Sequence, residues 1–298
     1  MRTLRYPALT LYMVIFVYSF VRGQPYVKVG AGYGFPLASE QLGTGGRQEF
    51  TTTLDPQSGF EVPRLFTENE SVHGSYGAGL LADCSFGYMF ADQLGVEAMF
   101  SYVMGREYGV INTGLDSRLG QVLYDSRATV LTKSKGFFFA PMLKLAAGSG
   151  RLQPYLMAGP ILGKVYFDRS QDIITFEQGI TTSEGISARY RGGLARGARG
   201  IAGVELVLKS SMRFFAEAVI TGMNYYPRKG EVTRYEINGT NSLSILTTRQ
   251  RQANFVDKVT TDSDEPMSTD ENPGQLTRFS VPLSSIAANA GIKYTFGH

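Results

Sequence analysis

Between Tyr76 and Phe90 the chain reads YGAGLLADCSFGYMF. Its even positions are Tyr76, Ala78, Leu80, Ala82, Cys84, Phe86, Tyr88 and Phe90, and its odd positions are Gly77, Gly79, Leu81, Asp83, Ser85, Gly87 and Met89. One set is apolar throughout; the other is mostly small or polar. Side chains alternate sides along a strand, so this period of two predicts a long β-strand and excludes a helix. The same alternation recurs over 27–35, 94–104, 137–145, 202–208, 214–220 and 286–296. A further strand is expected over 153–165, where both parities are similarly apolar and neither side is marked as inner or outer. Eight strands result.

The links between them alternate strictly in length. Ala91 to Gln93, Gly148 to Leu152 and Lys209 to Ser211 are short, whereas 36–74, 105–135, 166–199 and 224–283 are long. A transmembrane barrel has short periplasmic turns and longer extracellular loops. Ten residues from 76 to 86, at ~3.3 Å each and tilted by about 45°, rise about 23 Å, close to the apolar band of such a barrel. The expected fold is all-β: an eight-stranded antiparallel up-and-down transmembrane β-barrel with short periplasmic turns and four long extracellular loops.

The ends and the composition agree with export. Arg2 and Arg5 precede a mostly apolar run from Ala8 to Val21, followed by Arg22-Gly23, which is the layout of a secretory signal peptide. Residues 1–23 are therefore expected to be cleaved, leaving 24–298 as the barrel domain. Cleavage removes Arg2, Arg5 and Arg22 and leaves 26 basic against 26 acidic side chains, so net charge provides no warrant for nucleic-acid binding. Beyond residue 21 no run approaches the ~18 apolar residues of a spanning helix. A lone Cys84 excludes an internal disulfide.

The Tyr-Val-Lys-Val-Gly-Ala-Gly-Tyr-Gly start at 26–34, the Pro-Tyr-Leu-Met-Ala-Gly-Pro segment at 154–160 and the Gly-Ile-Lys-Tyr-Thr-Phe ending at 291–296 resemble bacterial eight-stranded outer-membrane barrels of the OmpA/OmpX-like kind. The resemblance covers nearly all of the chain after residue 23. It implies residence in the bacterial outer membrane with both termini periplasmic, among outer-membrane lipids and lipopolysaccharide, after handling by the barrel-assembly machinery. Family barrels commonly end in an aromatic residue; here Phe296 is followed by Gly297-His298.

The parities point Lys28, Lys144, Arg213 and Lys293 inward together with Asp83, Glu97, Glu205 and Glu217. An unpaired buried charge is prohibitively costly, so matched numbers predict a neutralised network that fills the lumen. Glu97 and Lys144, near the periplasmic ends of neighbouring strands, are expected to approach each other. A small water-filled cavity is the competing reading.

Catalytic and metal signals are thin. His73-Gly74-Ser75 pairs a base with a hydroxyl near the outer rim, and on one strand the two would share a face, yet no orienting acid is evident. The acidic stretch Asp262, Asp264, Glu265, Asp270 and Glu271 lacks a calcium-loop glycine and is interrupted by Pro266. No catalytic, cofactor or metal site is expected. The third long loop carries Arg189, Arg191, Arg196 and Arg199 among glycines, which would hold lipid A phosphates bidentately. A flexible solvated loop competes, because glycine confers no fixed shape.

Three functions stay open. The first is a non-enzymatic barrel whose loops serve envelope structure or meet an extracellular partner; the others are a narrow solute channel and a lipid-modifying barrel enzyme.

Overall fold

The computed structural model describes residues 23–37, 40–148, 150–259 and 271–296. Residues 1–22 of the expected signal peptide, all of the acidic stretch but Glu271, and His298 lie outside them. Among the described residues seventeen strands form one sheet. The first half of the chain provides β1 (Gln24–Pro36), β2 (Glu40–Leu54), β3 (Glu61–Gly74), β4 (Gly79–Met89), β5 (Leu94–Gly105), β6 (Tyr108–Arg118) and β7 (Gln121–Ala146). The second provides β8 (Leu152–Glu177), β9 (Ile180–Arg191), β10 (Ala195–Val207), β11 (Met212–Tyr225), β12 (Lys229–Ile237) and β13 (Thr240–Asn241). After a helical turn, α1 (Thr248–Arg251), come β14 (Gln252–Val256), β15 (Gly274–Thr277), β16 (Val281–Pro282) and β17 (Ser285–Thr295).

Pairing closes on itself. The antiparallel ladder runs β1 to β4, β5, β7, β8, β10, β11, β17 and back to β1. A closed wall has no edge strand to leave backbone groups unpaired, the condition that hydrocarbon imposes.

The expected architecture of eight strands and four structureless loops is corrected by the strand count and by two parallel pairings, β2 with β6 and β14 with β15. The regions read as loops are themselves strands. β7 and β8 run 26 residues each and stay paired far beyond the wall, to Tyr124 against Glu177. Around these outer halves the ladder continues from β3 through β2, β6, β7, β8, β9 and β12 to β14 and β15. Outside a membrane both faces of a strand can be wet, which erases the alternation that marks the wall strands.

Burial inverts the order of a water-soluble domain. Lys28 and Lys144 are each 1% exposed, whereas Leu156 and Leu80 are 59% exposed. Outward positions from Leu152 to Leu162 on β8 are apolar, and the next one is Lys164. Those ten residues, tilted by about 45°, rise about 23 Å. Aromatic side chains flank this band: Tyr33, Phe35 and Phe137 toward the long extension, and Phe214, Tyr294 and Phe296 toward the short turns.

Tyr76 departs from its expected outward place. It is buried, because β4 begins only at Gly79, whose φ of +143° breaks the alternation and turns the preceding residues across the mouth of the wall. A Cβ at Gly77 would lie 1.9 Å from the Leu283 carbonyl oxygen, so the two crossing segments touch backbone to backbone.

Candidate functional site: a filled lumen beneath an aromatic chamber

The alternation of each wall strand sends one side chain in two into the lumen, and near the short turns these are charged. Glu205 on β10 is the hub. It accepts from the Lys144 ammonium at 2.5 Å, from Lys293 at 2.9 and 3.0 Å, and from the Arg213 guanidinium at 3.1 Å. Lys28 on β1 lies 3.0 Å from Glu97 and 2.5 Å from Glu217. Hydroxyl groups satisfy the remaining lone pairs: Tyr26 and Ser85 donate to Glu97 at 2.7 and 2.6 Å, and Tyr155 donates to Glu217 at 2.6 Å. The Lys144 ammonium also lies 4.1 Å from the centroid of the Tyr155 ring, and that of Lys293 4.0 Å from the Tyr26 ring, placing each cation on a π face.

Glu97 and Lys144, expected to approach each other, lie near enough to interact electrostatically but form no direct ion pair. The register sets Lys144 opposite Gly95 and Glu97 opposite Met142, and each takes another partner across the lumen. A second, smaller cluster surrounds Asp83. The Asn289 amide donates to it at 3.0 Å and also to Glu217 at 3.1 Å, linking the two clusters.

Arg199 belongs to this second cluster, which corrects its expected place at a lipid surface. It is 5% exposed, donates to Ser101 at 2.7 Å and Thr221 at 3.1 Å, and lies 3.9 Å from an Asp83 oxygen. Its parity on β10, four residues from Gly203 and six from Glu205, carried that information. Of the other three arginines, Arg189 donates to Asp168 at 2.7 Å and Arg191 to Glu231 at 2.9 Å in the outer sheet. Their neighbouring strands hold them, so the solvated glycine loop is overturned as well. Arg196 alone points outward from the wall, at the height of Leu162.

Above the charges the lumen is filled by apolar side chains, among them Met99, Phe138, Met142, Met157, Ile161 and Val219. His73 and Ser75 do not share a face: His73 is exposed near the end of β3, while Ser75 is 1% exposed in the following turn and hydrogen-bonded to the Pro282 carbonyl at 3.4 Å. No group of three metal-ligating side chains occurs among the described residues.

Beyond this packing lies a feature with no counterpart in the sequence reading, a half-open cavity of about 620 Å³ between the outer sheet and the segments around 76 and 281. Six rings contributed by separate segments line it in an unbroken series. Tyr76 meets Tyr108 at 5.6 Å and Phe167 at 4.8 Å; Phe167 meets Tyr190 at 5.7 Å; Tyr190 meets Phe255 at 5.8 Å and Phe279 at 5.7 Å. Arg169, two residues beyond Phe167 on the same side of β8, is the charged residue in the lining.

No family model and no curated protein matches the chain. Among solved structures it is similar to the outer membrane protease OmpT from Escherichia coli, at 10% identity and a TM-score of 0.26, over 92% of this chain and 97% of that one. Since the structure matched is a protease's, the expectation that this chain is not an enzyme is withdrawn. At that level of similarity no residue role is carried over. The likeness does not single out barrels of the OmpA/OmpX-like kind.

Proposed function

We propose that the chain is an integral outer-membrane protein, a closed barrel held in the bilayer that presents a strand-built platform to the outside. One observation carries this reading: charged side chains are buried and large apolar ones exposed all round the closed wall. In water that arrangement would strand an apolar surface far larger than a soluble monomer presents. In lipid it is the stable one.

The lumen is a plug. Ion pairs fill the end with the short turns, and packed apolar side chains fill the middle, so the wall is a rigid mount for the outer sheet. Lipid contact extends to the headgroups. Lys135 on β7, Lys164 on β8 and Arg196 on β10 point outward on adjacent strands where the apolar band ends, and the pairs Lys135 with Tyr166 and Leu162 with Arg196 set the three on diagonals. Three cations at that height suit the phosphates of an outer-leaflet glycolipid.

The test is made on cell envelopes and on purified protein. The outer-membrane fraction contains the chain, an unboiled sample migrates faster than a boiled one on a denaturing gel, and the folded protein adds no steady conductance to a planar bilayer. A chain found in the soluble periplasm refutes the membrane reading, and stable single-channel steps refute the plug.

A further inference from the structure

The outer chamber is built unlike the rest of the outer sheet. Its rings come from β6, β8, β9, β14 and the segments around 76 and 279, and they meet at 4.8–5.8 Å, largely edge to face. Aromatic faces turned toward one another across a filled space would make an ordinary core. Here they line a half-open cavity of about 620 Å³, within the ~300–1,000 Å³ range of small-molecule pockets. The floor is closed from the lumen by backbone contacts, the Tyr76 amide donating to the Pro282 carbonyl at 3.0 Å and the Leu283 amide to the Met223 carbonyl at 3.0 Å. Whatever enters therefore comes from outside and stays outside.

Charge narrows the occupant. On the neighbouring outer strands Arg189 pairs with Asp168, Arg191 with Glu231 and Arg234 with Asp172. Arg169 forms no ion pair with a carboxylate among the described residues, although it lies between these strands and faces the rings. Around it the polar lining consists of neutral donors and acceptors such as Thr132, Asn112 and Gln41. Arg169 is exposed at the rim of an apolar, ring-lined space, where its guanidinium presents a planar fork suited to a carboxylate, with π surfaces for the body attached to it.

We propose that this chamber is a binding site for a small aromatic carboxylate, its ring among Tyr76, Phe167, Tyr190 and Phe279 and its carboxylate on Arg169. This goes beyond the membrane reading and does not need it, since the site lies between the outer sheet and the segments crossing the mouth of the wall.

The probe is 2-naphthoate, with 2-naphthamide as its uncharged match in shape. Binding is measured by equilibrium dialysis to the folded full chain in nanodiscs of zwitterionic lipid, with empty nanodiscs subtracted. Naphthoate is expected to bind saturably, at least tenfold more tightly than the amide, the difference that a charge-assisted hydrogen bond makes. Arg169→Gln abolishes that preference by weakening naphthoate alone. Val130→Phe, on the chamber wall, weakens both ligands by filling the space. Faster migration of each unboiled variant shows that it is folded. No saturable uptake of naphthoate by the wild-type protein overturns the proposal. So does equal affinity for the two ligands in the wild type, a comparison that needs no variant. The membrane reading stands or falls separately, on fractionation.

Discussion

Replacing Glu205 by glutamine removes one negative charge at nearly constant volume from the centre of the lumen. Among the described residues Glu205 is the carboxylate within ion-pair distance of Lys144, Lys293 and Arg213, at 2.5, 2.9 and 3.1 Å. The lysine side chains are 1% and 4% exposed, while that of Arg213 is 17% exposed, near the end of the wall with the short turns. Breaking one buried pair costs about 3–5 kcal/mol, because the partner is left charged and dry. Glu205→Gln strands two such partners, so the expected loss is at the upper end, about 5 kcal/mol. Arg213 reaches water and adds little.

The assay is equilibrium unfolding in urea of protein refolded into phospholipid vesicles, followed by far-ultraviolet circular dichroism and by the shift of the folded band on an unboiled gel. Replacing the triad together, with Glu205→Leu, Lys144→Met and Lys293→Met, removes the stranded charges and is expected to recover most of the loss, as apolar replacements of buried ion groups commonly do. A Glu205→Gln variant within about 1 kcal/mol of wild type would show that water reaches these lysines and that the lumen is not dry.

Three further outcomes follow from single positions. A Cβ on Gly159 would lie 2.0 Å from the Pro141 carbonyl oxygen, where β7 and β8 skip three register positions around Pro141 and Pro160, so Gly159→Ala is expected to cost about 1–3 kcal/mol in the same urea titration. At the tip of the β2–β3 hairpin, the Ser58 hydroxyl, at 2.5 Å, and then the Gln57 amide, at 3.1 Å, hold the Asp55 carboxyl below the usual carboxylate range. That tip is then ordered above the ordinary carboxylate pKa of about 4 and loosens as pH falls through the lowered value. Limited proteolysis at Leu54 to Phe60 should rise on acidification in the wild type and be high at every pH in Asp55→Ala. Finally, Leu156→Arg, in the middle of the outward band, is expected to destabilise the folded state in vesicles by about 2–4 kcal/mol, whereas Ile174→Arg on the outer half of β8 stays within about 0.5 kcal/mol of wild type.

How much of this was legible depended on which solvent each strand meets. Where one face is outward and apolar and the other lines a charged lumen, as on β1, β5 and β17, apolar and polar residues alternate and the two sides can be told apart. On β8 the inward Tyr155, Met157, Ile161 and Val165 pack against Met99, Met142 and Val219 in the apolar part of the plug, so inner and outer parities look the same. Tyr76 misled for a local reason, since a period can persist in sequence through Gly77 and Gly79 while a positive φ reverses it in space. Arg199 was readable by parity but sat among arginines and glycines that read as a loop. The chamber left no trace, because its six rings are spread from Tyr76 to Phe279 and only the outer sheet collects them.

The most direct test concerns the solvent at a pair of adjacent side chains. In a Cys84→Ser background, a nitroxide is attached at Leu156→Cys or, one residue along β8, at Tyr155→Cys, and its collisions with oxygen and with a water-soluble nickel chelate are measured in bilayers. The account predicts that the label at 156 meets oxygen freely and the chelate hardly at all, while the label at 155 meets neither. Ready collision with the chelate at 156 would place water where hydrocarbon is required and would contradict the account.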